Sequence, residues 1–341
     1  MASLEKPIVA ITIGEASGIG PEIVLKALAE GSAHDVCRPL VIGDRNVLQR
    51  AREAFRSNLE FSVIPRLEQA TWAGRMVNLL DLNNIPLDSL TIGHPNAVTG
   101  KAMVEYAELA VRLCLEGKVH GAVGGPHSKK AVHEAGIPFD GYPGFVARMT
   151  GSKYPFMMLV AGTLRITNVT LHVSLRKALD LIKKDLILEA IKATHEAVQT
   201  FGVSKPKIAV AALNPHAGEG GIFGDEDDTE IRPAVIAANQ LGMAVVGPLP
   251  ADTVFCGCMQ GPYDAYIGMY HDQAHLPIKV LAFEKASGVP IGVPVNFATV
   301  GHGCASDIAW KGIADPTSLI ETIGLVSRRA KPASEAVHRT G

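Results

Sequence analysis

The chain has 341 residues, with 32 basic against 34 acidic side chains for a formal charge of -2, and 47% of it is hydrophobic. That length buries a sizeable core without staples, and the apolar fraction excludes general disorder. The balanced charge excludes the basic footprint of a dedicated nucleic-acid binder, and five scattered cysteines, odd in number, make no disulfide framework and point to the reducing cytoplasm.

The opening MASLEKPIVAITIG has an acidic residue and only a short apolar run, unlike a signal peptide. Within it, residues 7–13 (PIVAITI) predict a strand that ends at Gly14, and a helical pattern begins at Pro21, a first-turn position that tolerates proline. A strand over 40–42 stops at Gly43-Asp44, helical spacing runs over 101–115, and a strand over 119–123 enters Gly124-Gly125-Pro126. Beyond Pro155, strands are expected over 156–160, 166–171, 207–213 and 263–269, with a helix over 186–200. Short, nearly all-apolar strands alternating with helices predict an α/β fold with a largely parallel, covered sheet. No run approaches the roughly 20 apolar residues that span a bilayer, so a soluble protein without a membrane partner is expected. No Pro/Ser-rich hinge marks a boundary, and two lobes would require the chain to cross between them more than once.

Open α/β sheets bind ligands beyond the carboxyl ends of their strands, so the polar clusters there are the candidate chemistry. The turn GEASGIGP (14–21) matches neither G-x-G-x-x-G nor a P-loop and reads as a tight strand-to-helix turn, with Glu15 facing a cleft. His172 in TLHVSLR, His216 in LNPHAGEGG and His271 in MYHDQAH each follow an apolar strand. Neutral imidazole suits zinc and similar divalent ions, and three imidazoles leave open positions for substrate oxygens. Each alone is equally a turn histidine; their common placement favours a metal. His275 lies four residues after His271, but HExxH is absent and Pro277 argues against a continuing helix, so it reads as structural. Asp252 and Asp272 suit imidazole orientation, with exposed turn aspartates as the alternative. Lys279 in HLPIK offers a cation for a substrate carboxylate, or a proton carrier, against the ordinary role of a solvated lysine. Lys129-Lys130 is another anion clamp on pattern alone, and Cys256-Gly-Cys258 lacks partners at zinc spacing.

Five ordered motifs, GEASGIGPEIVLKAL, GGPHSKKAVHEAGIPFDGYPGF, LNPHAGEGGIFGDED, GPLPADT and MYHDQAHLPIK, resemble over most of the chain the 4-hydroxythreonine-4-phosphate dehydrogenase (PdxA) family. The later GHGCASDIAWKGIADPTSLIET resembles the cofactor loop of isocitrate and isopropylmalate dehydrogenases. The resemblance implies a two-lobed α/β/α, isocitrate/isopropylmalate dehydrogenase-like architecture with a central cleft. Residues 1–128 with about 285–341 would form the lobe with the cofactor loop, and about 129–284 the lobe with the metal ligands and dimer interface. It implies a homodimer with a shared active site, and a divalent metal (Zn, Co, Ni, Mn or Mg) on His172, His216 and His271 with one ligand contributed across the interface. It also implies NAD or NADP near His302, Gly303 and Asp307, a small anionic substrate, and Lys279, Asp252 and Asp272 as catalytic candidates.

The sequence departs from the family where the substrate is chosen. Tyr142 and Pro143 replace a His-Thr pair, and Gly288 and Phe297 stand where an asparagine and an arginine help hold a phosphate. With GYP and ATVGHGCASDIA, the chain looks closest to the terephthalate cis-dihydrodiol dehydrogenase branch. The expected reaction is therefore metal- and NAD(P)-dependent oxidation of a β-hydroxy acid with decarboxylation, 1,2-dihydroxy-3,5-cyclohexadiene-1,4-dicarboxylate going to protocatechuate. Tyr142, Pro143, Phe297 and Lys279 would contact that substrate. The alternatives are 4-hydroxythreonine 4-phosphate or a related sugar-acid phosphate as substrate, and a non-catalytic ligand-binding protein on the same fold.

Overall fold

The computed structural model describes residues 5–330; residues 1–4 and 331–341 of the expected first lobe lie outside the described residues. The described residues form twelve strands: β1 (Ile8–Thr12), β2 (Arg38–Gly43), β3 (Phe61–Ile64), β4 (Val77–Asp81), β5 (Gly121–Gly124), β6 (Phe156–Ala161), β7 (Leu164–Asn168), β8 (Lys207–Ala211), β9 (Ala244–Leu249), β10 (Ala265–Gly268), β11 (Ser287–Ile291) and β12 (Phe297–Val300). They divide between two compact units, one running to residue 150 and resuming at 294, the other covering 151–293.

In the first unit the strands lie in the order β3-β4-β2-β1-β5-β12, and the pairs from β3 through β12 are parallel. Val9, Ala10 and Ile11 on β1, Leu40 to Ile42 on β2, and Ala122 and Val123 on β5 are all fully buried. Consecutive residues of a strand point to opposite faces, so an apolar run buried throughout requires helices on both sides of the sheet. The helices Lys129–Glu134 and Tyr142–Thr150 belong to this unit. Gly100 has no side chain where the backbone of Ala131 and Val132 crosses it, which lets the Lys129–Glu134 helix seat on the helix Ala97–Leu115. The unit's first segment therefore runs beyond the boundary at 128 expected from sequence. β1 is flanked by β2 on one side and β5 on the other, which makes its carboxyl end a switch point.

In the second unit the order is β11-β6-β7-β10-β8-β9. β7, β10, β8 and β9 are parallel, whereas β6 pairs antiparallel with both β11 and β7. The hairpin turns on Gly162-Thr163, with Ala161 opposite Leu164. The largely parallel sheet expected from sequence is present, and the antiparallel hairpin is the departure from it. The strand expected over 166–171 ends at Asn168, after which Val169 and Thr170 donate their backbone N–H groups to the carbonyls of Gly268 and Met269. Pro277 does not stop the helix His271–Ala282. It removes one N–H but keeps a helical φ, and the buried Ala274 and Ile278 anchor the turns on either side. Among the described residues no helix is long and apolar enough to cross a membrane.

Candidate functional site

The three histidines leave the carboxyl ends of three adjacent parallel strands, His172 after β7, His271 after β10 and His216 after β8. The β7 and β10 exits are tied together by the Val169 and Thr170 backbone bonds and by the Thr170 hydroxyl, which donates to the Met269 carbonyl at 2.9 Å. This brings the His172 and His271 rings to 5.8 Å between centroids. Both line a cavity of about 380 Å³ shared with Asp272, Tyr270, Leu171 and Leu175.

His271 Nδ1 lies 2.6 Å from Asp272 Oδ1. An ionised carboxylate only accepts, so the proton sits on Nδ1 and the Nε2 lone pair is left for a metal, the usual way in which a carboxylate fixes a ligating imidazole. His275 stacks on His271 at 3.8 Å and 12°, and its Nδ1 lies 3.1 Å from Asn168 Nδ2 and 3.0 Å from the His271 carbonyl. Burial, helped by the Lys279 charge nearby, pushes the His275 pKa down to about 4. Its structural role thus takes a definite form: a neutral ring supporting His271. Lys279, two turns further along the helix, is half-buried, and desolvation lowers its pKa.

His216 sits apart from that pair, on an exposed loop 6.1 Å from the Phe223 ring. The loop holds six successive residues at positive φ, from His216 at 55° and Ala217 at 56° through Gly218, Glu219 and Gly220 to Gly221 at 92°. Such backbone persists only where its surroundings over-determine it. The fully buried Asp227 holds the chain where it enters this loop, accepting from the backbone N–H groups of Leu213 at 2.8 Å and Asn214 at 2.9 Å. Asn214 Nδ2 in turn donates to Glu226 at 2.8 Å. Asp227 was not singled out from sequence; a carboxylate inside the GDEDD run was its one signal. Asp252 is exposed in the short helix Ala251–Val254. Among the described residues, no three His, Cys, Asp or Glu side chains converge as a metal-holding group. The donor chemistry at His172 and His271 suits a divalent ion.

In the first unit, Tyr142 and Phe297 are core residues, 1% and 0% exposed, with ring centroids 5.2 Å apart. The Tyr142 hydroxyl donates to the Gly125 carbonyl at 3.0 Å, and burial pushes its pKa up. Pro143 beside it is buried. The expectation that these side chains present a surface to substrate is corrected: all three are buried, and the Tyr142 ring packs against Phe297, Phe139 and Phe145.

The loop after β12 carries His302, Gly303 and Asp307. It is pinned to the Gly14–Gly20 turn, because Ile19 N donates to the Cys304 carbonyl at 3.0 Å and Trp310 Nε1 to the Ala16 carbonyl at 3.2 Å. The buried Glu22 accepts from Ala314 N at 2.8 Å. Gly303 and Asp307 stay exposed, and a Cβ on Gly303 would meet nothing within 4 Å, so this stretch is open to an extended ligand such as a dinucleotide. Gly14, at φ 68°, lies where a Cβ would collide with the Pro126 carbonyl. Its freedom serves packing of the turn on protein backbone, as the tight-turn reading expects. Glu15 in that turn is fully buried and accepts from Ser17 N and Oγ; burial raises its pKa above the ordinary carboxylate value. Its expected view into a cleft gives way to a buried position.

Residues 35–326 match the family described as pyridoxal phosphate biosynthetic protein PdxA. The chain is 41% identical over 329 residues to D-threonate 4-phosphate dehydrogenase of Cupriavidus necator, covering 95% of this chain and 98% of the relative. A crystal structure of a 4-hydroxythreonine-4-phosphate dehydrogenase from Burkholderia phymatum superposes with a TM-score of 0.83 at 37% identity, over 96% of this chain and 99% of that one. A terephthalate 1,2-cis-dihydrodiol dehydrogenase from Burkholderia xenovorans LB400 superposes with a TM-score of 0.67 at 33% identity, over 95% and 98%.

Proposed function

The chain belongs to the PdxA family, and from that premise we propose that it oxidises a secondary alcohol of a phosphorylated hydroxy acid of the D-threonate 4-phosphate class, with NAD or NADP as hydride acceptor and a divalent metal at His172 and His271. The observation that carries this reading is the 41% identity to a D-threonate 4-phosphate dehydrogenase along essentially the whole chain. It replaces the dihydrodiol dicarboxylate expected from sequence. The dihydrodiol dehydrogenase is the more distant of the two solved relatives, and the two aromatic side chains invoked to fit a ring are buried in the core.

When bound, the metal would polarise the substrate hydroxyl and an adjacent oxygen, while the nicotinamide accepts hydride from the same carbon. The chain's own residues do the rest. Asp272 holds the His271 tautomer, and His275 and Asn168 back the ring. Lys279, its pKa lowered by burial, receives the hydroxyl proton or pairs with a substrate oxyanion, and His302, Gly303 and Asp307 meet the dinucleotide. A hydroxyl β to a carboxylate would give a β-keto acid, which loses CO2 readily once its ketone is polarised. The remaining metal ligand, His216 in this reading, comes from a second copy of the chain. An apolar stripe beside the histidines supports that pairing: Leu276, Val280 and Leu281 are 60%, 80% and 50% exposed on the His271–Ala282 helix.

The test is reduction of NAD and NADP by the purified protein with each divalent ion in turn, on D-threonate 4-phosphate, 4-hydroxythreonine 4-phosphate and the dihydrodiol dicarboxylate. Turnover of a phosphorylated acid that ceases on chelation and returns with metal is expected. Turnover of the dihydrodiol alone would overturn the substrate class.

A further inference from the structure

The first unit carries a cavity of about 320 Å³ that none of the candidate site residues lines. It lies where the start of the chain, the short helix Ser32–Val36, the start of β2 and the segment before β4 meet, and its wall includes Glu5, Lys6, His34, Arg38 and Trp72. Its cations are held in place. The Arg38 guanidinium lies over the Trp72 ring, 5.4 Å from the centroid. Lys6 Nζ donates to the His34 carbonyl at 2.7 Å. Outside the lining, Arg75 lies beside Gly31 and His34. Arg38 Nε is buried without a hydrogen-bond partner, and native proteins seldom leave such a group unanswered.

The acidic groups nearby are Glu5, whose Oε2 lies 3.1 Å from Arg38 Nη1, and Asp35, exposed on the short helix beside His34. The Glu5 side chain is 81% exposed. A pair so solvated is weakly held, and its carboxylate is easily displaced by a better anion.

We propose that this cavity binds a phosphate group, which takes the place of Glu5 on the Arg38 fork and is completed by Lys6, with Trp72 as its wall. Two lining cations with Arg75 alongside outweigh Glu5 and match the double charge of phosphate better than a single carboxylate does. Burial, with the Arg75 charge beside it, lowers the His34 pKa. Free phosphate and a phosphate monoester share this chemistry. The site is independent of the proposed reaction.

Trp72 is one of two tryptophans and sits in the wall, so its fluorescence is the direct readout. The full chain is titrated with inorganic phosphate and, separately, with adenosine monophosphate at constant ionic strength, with calorimetry alongside. Saturable binding is expected, with tighter binding of the monophosphate identifying the monoester as the natural form and equal or tighter binding of phosphate identifying the free ion. Trp72→Phe should silence the fluorescence change. Arg38→Ala should weaken binding about tenfold or more, and Glu5→Gln should tighten it about threefold by removing the competitor. Lys6→Ala, a change at an exposed residue, guards against a folding defect in Arg38→Ala and should also weaken binding. Absence of saturable binding by both methods, or unchanged affinity in Glu5→Gln and Arg38→Ala together, would overturn the proposal.

Discussion

Asp227 offers the sharpest check on how the chain holds His216. Its carboxylate, fully buried, accepts from two backbone N–H groups at 2.8 and 2.9 Å. A hydrogen bond to a charged group contributes about 1.5–3 kcal/mol. Asp227→Ala removes both acceptors, so a loss of about 3–6 kcal/mol is expected from the sum of two such bonds. Asp227→Asn keeps one acceptor oxygen but turns an NH2 group toward the other donor, for a loss of about 1.5–3 kcal/mol from one broken bond. The left-handed residues at 216–218 lose their anchor in both variants, so amide exchange at Leu213 and Asn214 should accelerate before global unfolding. Urea unfolding at constant m-value measures the stability and hydrogen exchange the local opening. If both variants stay within about 0.5 kcal/mol of the parent, the range of an ordinary surface substitution, and exchange is unaltered, Asp227 does not hold the loop.

Mixing inactive His172→Ala and His216→Ala proteins should restore activity if the two imidazoles of one site come from different chains, since each mixed dimer then holds one intact site; no recovery under conditions that exchange subunits would place both in one chain. The Glu15 pKa is raised by burial in the folded state, so the protonated form is favoured there and stability is fully present below the unfolded pKa, falling as pH rises through the folded one. Glu15→Gln should flatten that fall, and thermal melts from acid to neutral pH that remain parallel for the two proteins would refute it. Tyr142→Phe removes one buried neutral hydrogen bond and should cost about 1 kcal/mol while leaving KM unchanged; a rise in KM without loss of stability would return Tyr142 to the substrate.

Much of the first unit is legible in the sequence because its central strands are buried on both faces. PIVAITI and the run over 119–123 are apolar almost throughout and are punctuated by Gly14 and Gly124. The same property hides strand direction: FMMLVA on β6 is as apolar as a parallel strand, yet it pairs antiparallel on both sides. Pro277 misleads for a local reason, since its lost hydrogen bond is outweighed by the burial of Ala274 and Ile278 around it. The positions of His172, His216 and His271 at strand exits are legible because those exits are where polar residues have no packing role. Asp227 could not, because its partners are backbone N–H groups that no sequence pattern displays. Tyr142 and Phe297 occupy positions where the family resemblance implied contact with substrate, and only packing shows that they face each other.

The first unit is discontinuous along the chain, and that has a consequence for biosynthesis. β12 joins its sheet by pairing Phe297 with Ala122 on β5, and the helix Thr317–Arg329 packs on the same unit. A ribosome therefore releases residues 151–293 complete while the earlier unit still waits for its sixth strand. Domains generally fold as units during synthesis, so the middle of this chain is expected to mature first. Until residue 300 has emerged, β5 presents an open edge of the kind that recruits foreign strands.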